Sequence, residues 1–235
     1  MTPVHSTDQP VVAVLVAAGS GSRLGAAVPK ALVELAGVPL VRLSAEALVA
    51  GGVQQVVVTI PGGMDAPFEQ ALAGLRAPLR IVAGGSTRQE SVRLGLKALN
   101  ASDDAVVLVH DAARALVPPA LVASVVEAIA DGAAAAVPVL PVTDSIRQLT
   151  ASGSVVVDRS ALRAVQTPQA ARLGALRDAH EHARVRGLEV TDDAAVCELV
   201  GLDVTLVPGH SDAMKVTTPA DLVVATAILE ERRRP

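Results

Sequence analysis

The chain has no tryptophan and no tyrosine, and its only phenylalanine is Phe68. Proteins that grip single-stranded nucleic acid stack bases on aromatic faces, and cages for quaternary amines are built from the same faces. Both functions are excluded. Cysteine is as scarce: Cys197 stands alone, which rules out an internal disulfide and a multi-cysteine zinc site. It reads as a small buried apolar residue. No apolar run reaches the ~20 residues of a membrane span, because proline or a charge interrupts each candidate. Residues 1–10 lack the layout of a signal peptide. These absences lead to the expectation of a soluble, cytoplasmic protein with no nucleic-acid and no membrane partner.

What is present is a chain of 235 residues, 51% hydrophobic, with a formal charge of −4. Alanine makes up about a fifth of it, so the core must be built from Ala, Val and Leu. No repeat or low-complexity linker breaks the pattern, and the simplest organisation is a flexible N-terminus over 1–10 followed by one domain over 11–232. Short β-branched runs at 11–16, 55–60, 79–82, 105–109, 134–139 and 204–207 read as strands. Ala/Leu-rich segments at 39–50, 65–75, 87–99, 118–130, 171–186, 192–200 and 219–232 read as helices. The alternation predicts an α/β fold with a mostly parallel sheet covered on both faces. Ser86-Thr87-Arg88-Gln89 has the pattern of a capping box, and Thr218-Pro219 places a proline at the first helical position behind a threonine cap. The segment 141–163 differs from the rest. It reads as short polar strands around Gly153, an arm of the kind that pairs with another subunit.

The first strand runs into Ala17-Ala18-Gly19-Ser20-Gly21-Ser22-Arg23-Leu24, followed by Val28-Pro29-Lys30. Small residues let backbone N–H groups approach an anion, and Arg23 and Lys30 add fixed positive charge. The loop suits a phosphate chain. It is not a Walker A loop, since no Gly-Lys-Ser or Gly-Lys-Thr follows, nor a dinucleotide fingerprint, since Leu24 stands where the third glycine belongs. Lys30, Lys97 and Lys215 are the only lysines among 20 basic residues. Lys30 and Lys215 lie in polar loops beside other candidate groups, where a compact point charge has a use that arginine does not meet. Lys97 reads as a solvated helix face.

Another strand ends in His110-Asp111-Ala112-Ala113-Arg114. In an open α/β sheet ligands bind at the carboxyl ends of strands, so Asp111 is aimed at the rim that carries the glycine loop. A carboxylate facing a polyphosphate makes sense chiefly with a divalent metal between them; the competing reading is a turn cap. His110 is read as structural, bonded to backbone. Gly84-Gly85-Ser86-Thr87-Arg88 opens a helix at the same rim, with Ser91 one turn in and pointing back. Without aromatic residues a nucleobase must be read by backbone groups, and a Gly-Gly turn allows that approach. Downstream, Asp144-Ser145, Asp158-Arg159, Gln166-Thr167-Pro168-Gln169, Thr191-Asp192-Asp193 and Met214-Lys215 are individually weak signals. Together with Arg114 they would line a hydroxyl-rich, cationic pocket for a small phosphorylated polyol.

The succession Ala-Ala-Gly-x-Gly-x-Arg-Leu, Pro-Lys, Gly-Gly-x-x-Arg-x-x-Ser, Val-His-Asp-Ala-Ala-Arg, Thr-Pro-Gln, Thr-Asp-Asp and Lys-Val-Thr resembles the 2-C-methyl-D-erythritol 4-phosphate cytidylyltransferase family of the non-mevalonate isoprenoid pathway. The resemblance covers 11–228. It implies a three-layer, Rossmann-like nucleotidyltransferase fold, a homodimer joined through the β-arm, Mg²⁺, and CTP and methylerythritol phosphate as substrates. It also implies roles for residues. Ala17, Ala18, Gly19, Gly85, Ser86, Ser91, Asp111 and Ala112 would bind CTP, Asp111 holding the metal; Arg23 and Lys30 would be catalytic. Arg114, Ser145, Arg159, Thr167, Thr191 and Lys215 would bind the second substrate, Arg114 and Ser145 coming from the partner. Val16 stands where the family often has proline; Ser145 replaces the usual threonine and keeps the hydroxyl, and Arg147 replaces lysine and keeps the charge. Three other readings stay open: a cytidylyltransferase for another polyol phosphate such as ribitol 5-phosphate, a non-catalytic nucleotide-binding module, and an NAD-dependent oxidoreductase.

Overall fold

The computed structural model describes residues 9–19 and 28–234. Strand β1 (Val11–Val16) is apolar at every position, and its side chains alternate between two cores. Val11, Ala13 and Leu15 join one cluster and Val12 and Val14 the other. A strand apolar on both faces has to be covered on both, and the layering follows from that. After β1 come the short hairpin β2 (Glu34–Leu35) and β3 (Val38–Pro39), then α1 (Leu40–Ala50), β4 (Gln55–Ile60), α2 (Asp65–Leu72) and β5 (Leu79–Ala83). The middle of the chain holds α3 (Arg88–Ala98), β6 (Val106–Asp111), α4 (Pro119–Ala130), β7 (Ala135–Pro141), β8 (Ile146–Thr150) and β9 (Gly153–Val157). The last part adds β10 (Arg163–Val165), β11 (Gln169–Arg172), α5 (Leu173–Arg186), α6 (Asp193–Glu198), β12 (Val204–Pro208) and α7 (Pro219–Arg233).

Strands β5, β4, β1 and β6 lie side by side and parallel. Beyond β6 the sheet turns mixed, with β11 antiparallel to both β6 and β7. Ala135 pairs with Ala171 of β11 and with Val204 of β12, and Val139 pairs with Val165 of β10 and with Pro208 of β12. Hence β10 and β11 share one edge of β7, and β12 occupies the other. Helices α1, α2 and α4 cover one face through Val41, Phe68 and Val125; α3, α5 and α6 cover the other through Val92, Leu176 and Cys197. Among the described residues no helix is long and apolar enough to cross a membrane.

Several sequence expectations are corrected here. The helix expected over 171–186 begins at Leu173, and Gln169–Arg172 is a strand. Its alanines are buried between β6 and β7, and alanine has no intrinsic reason to be strand; the tertiary slot decides. The capping box at Ser86 is displaced by one residue. Thr87 is the cap, its hydroxyl accepting the Glu90 N–H, while the Glu90 carboxylate takes the N–H and hydroxyl of Ser86. At α7 the Thr218 cap is complete, with Asp221 returning the bond to the Thr218 N–H and Pro219 in the first turn. The arm is a hairpin, β8 pairing with β9 alone, and it leaves Leu149, Val155 and Val156 exposed.

Helix α3 comes unusually close to the sheet. A Cβ on Gly95 would stand 2.5 Å from Val14 Cγ1 and 3.0 Å from Thr59 Cγ2, both in the interior. Gly95→Ala gains up to about 1 kcal/mol of helix propensity and loses about 1–3 kcal/mol to overpacking. Net destabilisation is expected, read as a lower urea midpoint with an unchanged slope.

Candidate active site

Strands β1 and β6 end together, with Val16 opposite Asp111. The turns that leave β1 and β5 therefore meet the end of β6 at one rim. A cleft of about 480 Å³ opens there. Ala17, Ala18 and Gly19 line one side, Gly85, Ser86 and Ser91 another, and Asp111 and Ala112 the floor, with Lys30 and Lys215 reaching in. Arg88, Thr87, Ala113 and Thr217 complete the wall. The two turns touch: Gly84 lacks the Cβ that would lie 2.5 Å from the Ala18 Cβ. The Ser91 hydroxyl points back, accepting the Gly85 N–H at 3.1 Å and donating to the Thr87 carbonyl at 2.8 Å. It fixes the Gly-Gly turn.

Lysine 30 follows Pro29 in a 3-10 turn, Lys30–Leu32, anchored by buried Ala31. Lys215 arrives from the far end of the chain. The N–H of Val216 donates to the Ala113 carbonyl at 2.8 Å, and Val216 is buried in a cluster with Leu35, Leu116 and Leu229. That docking places the Lys215 ammonium 2.7 Å from Asp111 Oδ2. Arg88, in the first turn of α3, donates from Nε to Asp111 Oδ1 at 3.0 Å and from Nη2 to Asp193 Oδ2 at 2.8 Å. Burial alone would raise the Asp111 pKa, but Arg88 and Lys215 hold it well below the ordinary carboxylate range. It is an anion throughout the physiological range. Asp193 behaves in the same way, burial being outweighed by Arg88 and the bond from His180.

Behind the floor, His110 is fully buried, and burial lowers its pKa to about 4. One tautomer satisfies its contacts. Nε2–H donates to the Arg114 carbonyl at 3.3 Å, and Nδ1 accepts from the Thr167 hydroxyl at 3.0 Å, whose oxygen accepts the Asp111 N–H at 3.1 Å. His110 is therefore structural, as expected, and Thr167 braces Asp111 from below. An unfolded histidine takes its proton near pH 6.5, His110 only near about 4. Between those values the unfolded chain binds the extra proton, so stability falls as pH drops from about 6.5 towards 4 and is complete above that window. The effect is on the order of 3 kcal/mol. His110→Gln should flatten the pH dependence of the urea-unfolding free energy over that range.

The Gln166 to Gln169 segment clasps distant parts of the chain. Gln166 takes the His210 N–H on Oε1 and donates to the His210 carbonyl; Gln169 Oε1 accepts the N–H groups of Asp193 and Ala194 at the start of α6. Asp192 is the α6 cap, accepting from Ala195. Burial pushes the Cys197 thiol up to about 12, so it carries no thiolate at neutral pH and packs as an apolar group.

The structure thus brings together Ala17, Ala18, Gly19, Lys30, Gly85, Ser86, Ser91, Asp111, Ala112 and Lys215. Arg23 lies outside the described residues. Arg114, Ser145, Arg159, Thr167 and Thr191 do not line the cleft of their own chain. The Arg114 guanidinium donates to the carbonyls of Ala213 and Val165, and Arg159 donates to the Thr143 carbonyl at the root of the arm. Sequence reading singled out neither Asp193 as an ion-pair partner nor His180 at all. Asp193 was legible as a helix-start acid, but its partner is 105 residues away.

Asp111 is the only carboxylate lining the cleft among the described residues, and no cluster of three or more His, Cys, Asp or Glu is present among them. A carboxylate offers about four lone-pair positions, and each cation uses one. Asp111 therefore retains capacity for a metal whose other ligands are phosphate oxygens and water, the usual arrangement for Mg²⁺.

Two glycine turns at the carboxyl ends of parallel strands, with convergent cations and one ionised carboxylate, define an enzyme of the nucleotidyltransferase class. The family model for IspD, 2-C-methyl-D-erythritol 4-phosphate cytidylyltransferase, matches residues 11–231. An enzyme of that name from Saccharopolyspora erythraea is 48% identical over 224 residues, covering 93% of this chain and 99% of that protein. One from Streptomyces avermitilis is 45% identical over 234 residues, covering 94% and 92%. The crystal structure of the Thermus thermophilus enzyme superposes with a TM-score of 0.78 at 40% identity, over 93% of this chain and 98% of that one. The chain belongs to the 2-C-methyl-D-erythritol 4-phosphate cytidylyltransferase family.

Proposed function

We propose that the cleft binds CTP and transfers its cytidylyl group to 2-C-methyl-D-erythritol 4-phosphate, giving 4-diphosphocytidyl-2-C-methyl-D-erythritol and pyrophosphate. The observation that carries this reading is the convergence of Arg88 and Lys215 on one ionised carboxylate, in a cleft that Lys30 also lines, between two glycine turns. Among the described residues no histidine lines the cleft, and Asp111 is held too acidic to serve as a base. The reaction must therefore use a nucleophile that is already ionised. A phosphate monoester, with its second pKa near about 6, meets that condition. Its oxygen attacks the α-phosphorus in line, a new P–O bond forms, and the bond to the β-phosphate bridging oxygen breaks as pyrophosphate leaves.

The protein's part is placement and charge. N–H groups of Ala18 and Gly19 hold the phosphates beside Ala17, whose own N–H is taken by the Thr59 carbonyl, while Gly85, Ser86 and Ala112, with their N–H groups engaged inside the protein, read the base and ribose with backbone carbonyls in place of aromatic faces. Lys30, joined in this proposal by Arg23, balances charge on the α-phosphate and leaving group. Asp111 would hold Mg²⁺, which when bound neutralises the phosphate oxygens. Lys215 binds the polyol phosphate in the cleft, Arg159 and Thr191, which lie outside the cleft of the single chain, would meet the part of it that projects beyond the rim, and Thr167 enters through Asp111, which it braces. Leu149, Val155 and Val156 on the arm are exposed in the single chain, which supports a homodimer through β8 and β9; Arg114 and Ser145 would then serve the cleft of the other copy. The site of action proposed is the cytoplasm.

Pyrophosphate release from CTP should require both methylerythritol phosphate and Mg²⁺. Release with ribitol 5-phosphate at an equal or higher kcat/KM would reassign the second substrate, and no release with either would leave only nucleotide binding.

A further inference from the structure

Arg88 is divided between two carboxylates. Its Nε serves Asp111 Oδ1 and its Nη2 serves Asp193 Oδ2, so Asp111 receives one bond from a guanidinium that is built to give two. The residue that makes the division possible is remote from the cleft. Asp193 is 2% exposed, and its other oxygen, Oδ1, accepts from His180 Nε2 on α5 at 3.1 Å. His180 is buried as well, and its Nδ1 has no hydrogen-bond partner, so the bond to Asp193 is the one polar contact of its side chain. Gln169 fixes the Asp193 backbone from β11. The series His180, Asp193, Arg88, Asp111 and Lys215 thus runs unbroken from the buried face of α5 into the cleft.

We propose that His180 and Asp193 are positioning residues that split the fork of Arg88, and so keep Asp111 from being closed by a bidentate ion pair. Without the pull of Asp193, the planar fork of Arg88 would settle on both oxygens of Asp111, the geometry that guanidinium and carboxylate adopt when nothing competes. Added to the bond that Lys215 makes, that second bond would take three of the four lone-pair positions of Asp111 and leave one for a divalent cation where two are now open. This rests on the metal-holding role proposed above for Asp111. Loss of a partner that orients a metal ligand typically costs about ten- to hundredfold in metal affinity, and the same range is expected here.

The test uses the full chain as parent, His180→Leu, His180→Gln and Asp111→Asn, each confirmed as folded by its thermal transition. Gln restores an N–H donor near the Nε2 position, whereas Leu fills the space without one. Two quantities are read: the dissociation constant for Mn²⁺ without nucleotide, by electron paramagnetic resonance, and the Mg²⁺ dependence of pyrophosphate release. His180→Leu should weaken both by about ten- to hundredfold with the KM for the polyol phosphate unchanged, and His180→Gln should return both to the parent's values. A folded His180→Leu with parental metal affinity, or a His180→Gln as impaired as the leucine variant, overturns the role of His180 alone. Mn²⁺ binding that survives Asp111→Asn overturns the metal-holding role and this inference with it.

Discussion

Asp111→Asn should lower turnover on the order of 10³-fold, since a metal held there, as proposed, would contribute several kcal/mol to stabilising transition-state charge. The fold should survive. Arg88 keeps Asp193, and the Lys215 side chain, 42% exposed, can turn to water, so the full penalty for stranding a buried charge is not incurred. The substitution also changes the sign of the cleft. Arg88 and Lys215 oppose Asp111 and Asp193 in one connected group; with asparagine the group gains one net positive charge. Metal-free CTP should therefore bind the variant at least as tightly as the parent while chemistry collapses. Equilibrium binding of CTP without metal, measured beside pyrophosphate release with it, separates the two effects. Parental turnover in the variant would remove Asp111 from the metal site.

Lys30→Ala should cost on the order of 10²-fold or more in kcat, the usual consequence of losing one donor aimed at developing charge. Little stability should be lost. Lys30 is part-exposed at the head of a turn that Ala31 and the main-chain bonds from Leu32 to Pro29 and from Val33 to Lys30 hold in place. Lys30→Arg should recover only part of the activity, because a planar fork cannot place its charge where a compact ammonium sits. Single-turnover pyrophosphate release with CTP saturating reads the chemical step, and a folded Lys30→Ala with near-parental rates would take Lys30 out of the catalytic set.

The cation count of the chain anticipates part of this arrangement. A net charge of −4 requires any site for phosphorylated ligands to gather its positive charge locally, and Lys30, Arg88 and Lys215 do so in the cleft. Arg114 and Arg159 were expected to belong to the same concentration. In the single chain their guanidinium groups bond main-chain carbonyls instead, a use of arginine that no local pattern distinguishes from ligand binding.

The sequence by itself determined the parts whose causes are local. Largely β-branched runs ending in glycine or aspartate specify parallel strands, buried in β1 and β6 and part-exposed with Arg80 in β5, and where their carboxyl ends stop, so Ala17 to Gly19, Gly85 to Ser91 and Asp111 were legible as one rim. The Thr218 cap and the turn at Gly153 were legible for the same reason, since a cap or a turn is decided within four residues. Only the tertiary structure decided that Gln169 to Arg172 is a strand, because a run of small residues takes the conformation of the slot that buries it. It alone decided that Asp193 faces Arg88, with His180 behind it, and that Thr167 and His110 hold Asp111 by its backbone. Those contacts join residues 13 to 105 positions apart. Their existence depends on how α5, α6 and β11 pack against the sheet, and no pattern within a single segment encodes that packing.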